Sequence, residues 1–321
     1  MSSDSDYSYY SDLSEEEEFR LYREIPEWSD ITPIEISDAP EGEPFHILYN
    51  QTYKDLFGYF SALLQKDEIS KRALSITERV IKNYTSTYTA WWYKYRILEQ
   101  LGYDFKKEDK FLNGIIRFNP KSYQAWYYKQ WLLDHEKILR DQIPSLRIIF
   151  EQDPKNFHAW SFALWYAKRW HQEKEVFLLA KKMCQSDCRN NSAWNARKTL
   201  GDMLNISPRS EFEESIESLK AVSKNEATFN FAIAMIHKDP SLIHEFEEVG
   251  KLLLKKNPLN MFAWLIKLFI LEFKKKNGNE NENEKNQNEK EKEEICDKLM
   301  ELDPIRIPYY TLIKEGKICY Q

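Results

Sequence analysis

The sequence is poor in glycine, in cysteine and in long apolar runs, and each shortage excludes a class of protein. Only 8 of its 321 residues are glycine, so the Lys-, Glu- and aromatic-rich composition favours helices over strands and tight turns. The 4 cysteines are sparse and the first residues lack the apolar segment of a signal peptide, so we expect reduced thiols and a cytoplasmic location. Because no apolar run approaches the roughly 18–20 residues that would cross a bilayer, we predict no membrane span.

The charge pattern argues against a general nucleic-acid-binding protein. Lys and Arg total 46 against 52 Asp and Glu, which gives a net charge of −6, and no basic block occurs. Residues 1–18, rich in Asp, Glu, Ser and Tyr, are typical of a disordered acidic tail. Residues 274–294 are of low complexity and have no apolar face, so they indicate a solvated insertion or a frayed helix end. The remainder, 19–320, is predicted to form one repeat domain.

Tryptophan recurs at a fixed period along most of the chain. The repeated aromatics, with one phenylalanine that fills the double interval, are Trp91, Trp126, Trp160, Trp194, Phe229 and Trp264. The spacing of 34–35 residues indicates six helical hairpins, each too small to bury its apolar face alone. The predicted fold is all-α, a right-handed, crescent-shaped superhelix of the α–α solenoid type.

The residue four positions before each aromatic (position −4) indicates where the helices begin. These residues are all common N-cap types, namely Thr87, Ser122, Asn156, Asn190, Asn225 and Asn260. Each repeat aromatic is then the fourth helical residue and is expected to point into the core. The aromatics at position −3, Tyr88, Tyr123 and Phe157, are expected to pack against the neighbouring repeat.

Position −5, directly before the cap, is basic in four consecutive repeats, with Lys121, Lys155, Arg189 and Lys224. A row of helix N-termini with these cations would suit a phosphate or carboxylate group. The alternative is that each cation satisfies the last carbonyl groups of the preceding helix. Likewise, His158 is either a structural histidine or a site residue, and Cys184 with Cys188, four apart but without a second pair, is interpreted as structural.

Three segments in order, NPKSYQAW (119–126), DPKNFHAW (153–160) and DCRNNSAWNAR (187–197), resemble the repeats of the α subunit of protein farnesyltransferase and geranylgeranyltransferase type I. The resemblance extends over roughly 26–315, from EWSDITPIEISD (27–38) to DPIRIPYY (303–310). It implies a heterodimer with a β subunit that binds the catalytic Zn²⁺, and a Mg²⁺ ion is a further expectation with the diphosphate. It also implies transfer of a farnesyl or geranylgeranyl group from its diphosphate to the cysteine of a C-terminal CaaX sequence, as on small GTPases.

The resemblance also implies roles for individual residues of this chain. Lys121 and the neighbouring Tyr123 would be catalytic, with Lys121 stabilising charge on the leaving diphosphate. Gln124 would bind the terminal carboxylate of the CaaX peptide, His158 would contact the same region, and Asn156 would cap that helix and hold its loop. No metal ligand is expected in this chain.

Departures from the family pattern suggest local rearrangement. Phe157 stands where the family usually has Tyr, so a hydroxyl contact is expected to be lost. The family usually has a basic residue at position +3 of repeat three, where this chain has Ala163, and we expect a subunit or peptide contact to be lost with it. Phe229 is interpreted as a core substitution.

Two other interpretations use the same repeats. One is a non-catalytic scaffold that binds protein partners, which would give no reason for Lys121 and Gln124 to occur together. The other is the α subunit of the Rab-specific geranylgeranyltransferase, whose family usually carries extra domains. The short length of this chain and its RNNSAWN segment argue against this interpretation.

Overall fold

The computed structural model describes residues 20–37, 47–137, 139–277 and 282–320. The predicted acidic tail, 1–18, lies outside the described residues. Fifteen α-helices and no strand occur in the described part of the chain. The helices are α1 (Gln51–Gln65), α2 (Lys71–Asn83), α3 (Tyr88–Leu101), α4 (Phe105–Phe118), α5 (Tyr123–Glu136), α6 (Ile143–Gln152), α7 (Phe157–Trp170), α8 (Glu173–Ser186), α9 (Asn191–Met203), α10 (Pro208–Ala221), α11 (Glu226–Lys238), α12 (Ile243–Lys256), α13 (Met261–Asn277), α14 (Glu282–Leu302) and α15 (Ile307–Lys314).

The six repeats are six consecutive helix pairs, from α3 with α4 to α13 with α14, which confirms the all-α helical-repeat fold. The chain divides into two compact units. Unit 1 is Met1–Ile149 with Asn156–Phe162, and unit 2 is Phe150–Lys155 with Ala163–Gln321, so the division falls within α6 and α7. One domain over 19–320 stays a prediction.

The first helix of every repeat begins directly after position −4, as the cap pattern predicts. Five of the six caps accept a backbone N–H of the first turn, for example Ser122 from Ala125 and Asn190 from Ala193. Thr87 is the exception, because it is the N-cap residue of α3 but its side chain makes no capping bond. The prediction of side-chain capping at all six positions is therefore wrong at the first.

The repeat tryptophans do more than fill the core. The indole N–H of Trp91, Trp126, Trp194 and Trp264 each donates to the carbonyl six residues earlier, over 2.8–2.9 Å. The tryptophan thus fixes the turn that leads into its own helix. Phe229 lacks this donor and is buried against the rings of Phe246 and Phe262. Trp264 is only half-buried, so the prediction that every repeat aromatic enters the core is wrong there.

The described part of the low-complexity segment is helical. Its first residues extend α13 to Asn277, and its later residues form the beginning of α14 from Glu282. Lys274 pairs with Glu247 at 2.8 Å and Lys275 with Glu289 at 2.6 Å. Charged side chains without an apolar face therefore remain helical here with ion pairs on the surface. The insertion boundaries, 274–294, stay a prediction.

Candidate functional site

The residues that the sequence singles out lie at the N-termini of α5 and α7, and all belong to unit 1. Ser122 caps α5 and Asn156 caps α7, so each helix presents its first-turn residues beside a free N-terminus. The unpaired N–H groups and the macrodipole make such a terminus favourable for negative charge. Repeats two and three therefore bring two anion-favouring helix ends into the same unit.

Lys121 is exposed and lies directly before the α5 cap. Within the described residues its side chain forms neither a hydrogen bond nor an ion pair. Lys155, Arg189 and Lys224 are exposed as well, and Lys155 lies 3.8 Å from Asp187. Among the residues that the structure describes, none of the four cations donates to a helix C-terminal carbonyl. The structure therefore does not support the alternative in which they cap preceding helices.

Gln124 is oriented by the α5 cap. The hydroxyl of Ser122 donates to Gln124 Oε1 at 3.2 Å while it accepts the N–H of Ala125 at 3.3 Å. The carbonyl end of the Gln124 amide is thereby engaged. Its NH₂ group forms no bond with the described part of the chain, and it can donate two hydrogen bonds to a carboxylate.

Tyr123 and His158 meet across the two repeats. Their rings are in edge-to-face contact with centroids 4.2 Å apart, and Phe157 lies 5.4 Å from the same imidazole. Burial lowers the pKa of His158 from its usual 6.5, so the neutral ring is favoured at physiological pH. The tyrosine and the histidine therefore form one small aromatic group between α5 and α7.

Asn156 is buried, with 2% of its surface exposed. Its Oδ1 accepts the N–H of Ala159 at 2.8 Å, and its Nδ2 donates to the carbonyl oxygen of Pro120 at 3.1 Å. The cap and the loop contact expected from the sequence are both present. Direct binding of a substrate by Asn156 is disfavoured, because both ends of its amide are engaged with protein atoms.

The aromatics at position −3 are largely exposed, although Tyr123 contacts His158 of the neighbouring repeat. Tyr88, Tyr123 and Phe157 are 73%, 67% and 70% exposed. The residues one turn further on the same helical face, Trp92 and Tyr127, are 51% and 74% exposed. The expectation is confirmed for the Tyr123 ring, which contacts His158 of the next repeat, and is wrong for Tyr88 and Phe157, where the helix starts leave this face open to solvent.

Three of the four basic residues at position +3 are buried, namely Lys94, Lys129 and Arg197, and Ala163 itself is fully buried. The structure therefore does not support the expectation of a lost subunit or peptide contact at Ala163. Lys94 is fully buried and lies 2.5 Å from Glu78 and 3.0 Å from Glu108. Arg197 is 1% exposed and donates to both carboxylate oxygens of Glu211. Lys94 and Arg197 each join the two helices of their own repeat through a glutamate, and Lys94 also reaches Glu78 of α2.

The described part of the chain contains no group of three or more His, Cys, Asp or Glu side chains that could hold a metal ion. Cys184 is buried with its pKa raised to about 12 by burial, and Cys188 is half-buried; both are free thiols. No helix among the described ranges has the length and apolar character to cross a membrane.

Comparison with known proteins gives the class of the chain. Residues 105–136 match the family model of the protein prenyltransferase alpha subunit repeat, a segment that holds α4, α5 and therefore Lys121, Tyr123 and Gln124. A chain of the solved structure of Candida albicans protein geranylgeranyltransferase-I complexed with GGPP superposes with a TM-score of 0.76. The match has 26% identity and covers 90% of this chain and 98% of the other. The helical repeats are thus those of a protein prenyltransferase α-subunit chain.

Curated relatives narrow the class further. Protein farnesyltransferase/geranylgeranyltransferase type-1 subunit alpha of Dictyostelium discoideum is 30% identical over 237 residues, 69% of this chain and 72% of the relative. The Pisum sativum protein with the same description is 27% identical over 309 residues, 89% of this chain and 92% of the relative. The chain belongs to the family of protein farnesyltransferase/geranylgeranyltransferase type-1 α subunits, as predicted. It is the α chain of a heterodimeric transferase.

Proposed function

We propose that this chain, together with a β subunit, transfers a farnesyl or geranylgeranyl group from its diphosphate to the cysteine of a CaaX-terminated protein. The exposed ammonium of Lys121 at the α5 N-terminus carries the proposal, because it is a placed cation that has no ion-pair partner in the described chain. The complex of the Candida albicans relative with GGPP supports an isoprenoid diphosphate as the donor.

In this proposal Lys121 acts on the leaving group. Attack of the cysteine thiolate on C1 of the isoprenoid forms the C–S bond and breaks the C1–O bond, and negative charge grows on the departing diphosphate. A cation placed at that oxygen stabilises the transition state more than the ground state. The α5 N-terminus adds unpaired N–H groups and a partial positive charge on the same side.

The other first-turn residues receive the peptide. Gln124 donates from its NH₂ group to the terminal carboxylate of the CaaX sequence, in the orientation that Ser122 favours. Tyr123 and His158 form the adjoining wall, where a neutral imidazole can either donate or accept a hydrogen bond. With Phe157 in place of tyrosine, that wall has no hydroxyl at this position.

The catalytic Zn²⁺ is assigned to the β subunit in this proposal. The donor groups in the described part of this chain do not fit a zinc site, because three or more His, Cys, Asp or Glu side chains converge nowhere in it. No step performed by this chain is therefore routed through a metal.

The test compares Lys121→Ala with the wild type in the purified heterodimer. We expect the single-turnover rate of isoprenoid transfer to a CaaX peptide to fall about ten- to a thousandfold, the usual range for removing one transition-state contact. Heterodimer formation, followed by size exclusion with light scattering, should be unchanged. Lys256→Ala is a matched control, because Lys256 is an exposed lysine at the end of α12.

Two outcomes would count against the proposal. A Lys121→Ala rate within twofold of the wild type would remove Lys121 from the chemistry. A wild-type pair that holds its partner but transfers no isoprenoid to any CaaX peptide would favour the scaffold interpretation. Identification of the co-purifying β subunit by mass spectrometry selects the isoprenoid to assay first.

A further inference from the structure

A buried asparagine links each of the last four repeats to the turn of the repeat before it. At position −4, Oδ1 caps its own helix while Nδ2 donates to a carbonyl in the preceding repeat. The four inter-repeat bonds are Asn156 to Pro120 at 3.1 Å, Asn190 to Pro154 at 2.9 Å, Asn225 to Cys188 at 2.8 Å and Asn260 to Ser223 at 3.4 Å. All four asparagines are at most 2% exposed. Serine or threonine can supply the cap but not the second bond, because a hydroxyl is too short to reach the neighbouring turn.

In repeat two the accepting carbonyl belongs to the peptide group that joins Pro120 to Lys121. The same oxygen also accepts the indole N–H of Trp126 at 2.9 Å. Two donors from two different helices, Trp126 on α5 and Asn156 at the start of α7, therefore fix this peptide plane. The proline ring restricts the backbone further. The direction in which Lys121 leaves the backbone is thus set by these two bonds.

Asn156 also fixes the helix that carries His158. Its Oδ1 holds the first turn of α7, and His158 is the second residue of that turn. One side chain thereby holds the Lys121 turn and the His158 helix in a single arrangement. Repeats one and two have Thr87 and Ser122 at the equivalent position, so Asn156 is the first such link along the chain.

We propose that Asn156 is a positioning residue for isoprenoid transfer, which places Lys121 and His158 relative to each other through the Pro120 carbonyl. The inference rests on the proposed function of Lys121. Asn156 itself is too buried to touch a substrate, so its effect passes through the turn. Because a displacement of about 1 Å in a catalytic group can cost on the order of 10²-fold in rate, the loss of one such bond is expected to be measurable.

The experiment removes the link while keeping the cap. Asn156→Ser keeps a hydroxyl that can cap α7, as Ser122 caps α5 at the same position of repeat two. It loses the side-chain N–H that donates to the Pro120 carbonyl. Asn225→Ser is the matched control, because it loses the equivalent bond to Cys188. In the full heterodimer we expect similar falls in Tm for both variants. The single-turnover transfer rate should fall about tenfold or more for Asn156→Ser and stay within twofold for Asn225→Ser.

A double variant tests whether the effect passes through Lys121. If Asn156 acts by placing that lysine, adding Asn156→Ser to Lys121→Ala should slow the reaction by no more than twofold beyond Lys121→Ala alone. Independent, multiplying effects would overturn the inference. So would equal rates for Asn156→Ser and Asn225→Ser at equal loss of Tm.

The failure of this inference can be told apart from the failure of the proposed function. If Lys121→Ala slows transfer and Asn156→Ser does not, the function stands and the positioning role falls. If Lys121→Ala has no effect, the function and the positioning role fall together. Should Asn156→Ser lower the yield of folded heterodimer, the single-turnover rate per folded heterodimer, isolated by size exclusion, decides between these outcomes.

Discussion

The imidazole of His158 contacts the rings of Tyr123 of α5 and Phe157 of its own helix. These ring contacts remove water from the imidazole, and water stabilises its charged form more than its neutral form. Tyr123 therefore has a second effect besides lining the candidate site, because it helps to set the protonation state of His158.

We expect His158 to titrate in NMR with a midpoint below 6.5, because burial lowers its pKa. The folded state then binds fewer protons than the unfolded state between the lowered pKa and 6.5. His158 therefore makes stability rise with pH across that window and leaves it unchanged above the window. Tyr123→Ala, which exposes the ring, should move the midpoint back toward 6.5. A wild-type midpoint at or above 6.5 would contradict this account.

The sequence predicts some residues of the site better than others. The cap position of Asn156 follows from its residue type and from the aromatic four positions later. Its second bond, to Pro120, does not, because it joins residues 36 apart and depends on how two repeats stack. The available signal is that repeats three to six all use asparagine where serine would cap equally well.

At the scale of the helix pair, the +3 residue of four of the six repeats is matched by the residue 14 positions later, on the second helix. Lys94 and Arg197 each meet a glutamate 14 residues later, Glu108 and Glu211. The two repeats with alanine at +3, Ala163 and Ala232, have phenylalanine at the equivalent place, Phe177 and Phe246, and both rings are buried. An ion pair in some repeats is thus replaced by an aromatic ring in others.

This exchange explains why Ala163 does not mark a lost surface contact. A basic residue that recurs at one repeat position suggests a surface contact when the sequence is considered alone. Its carboxylate partner lies on the next helix, at a distance along the chain that the 34-residue period does not reveal. The residue at which a helix begins follows from local sequence patterns. Whether position +3 carries an ion pair or packs against an aromatic ring depends instead on contacts between two helices.

Arg197 and Lys267 occupy the same repeat position, the first in a buried ion pair and the second in a partly exposed one, and so offer a matched test of burial. Arg197→Ala leaves Glu211 buried without its partner and should lower the free energy of unfolding by about 3–5 kcal/mol. Lys267→Ala breaks a partly exposed pair with Glu291 and should cost about 1 kcal/mol or less. Chemical denaturation of the full chain measures both values. Equal losses of unfolding free energy for the two variants would show that burial does not determine how much the ion pair contributes to stability.

At the scale of the whole molecule, the helix starts of unit 1 leave a set of aromatic side chains open to solvent. It comprises Tyr88, Trp92, Tyr123, Tyr127 and Phe157, at positions −3 and +1 of the first three repeats. Large exposed apolar surfaces in soluble chains usually mark interaction sites. Because Tyr123 belongs to the candidate site, a partner that covers this aromatic set would also enclose that site. The composition indicates many aromatics, but only the structure separates those in the core from those on this face.

We expect the β subunit to cover the aromatic set, with Tyr127 as a useful probe because it lies outside the assigned catalytic group. Tyr127→Ser should weaken the heterodimer about tenfold or more, since buried tyrosines often carry over 1 kcal/mol of binding energy. Leu178→Ser is the control, because Leu178 is an exposed apolar residue on α8, the second helix of its repeat. Isothermal titration of each variant with the β subunit gives the two dissociation constants. If Leu178→Ser weakens binding as much as Tyr127→Ser, the aromatic set is not the specific contact. If neither variant changes the dissociation constant, the partner binds elsewhere, and the candidate site must be completed by a different surface.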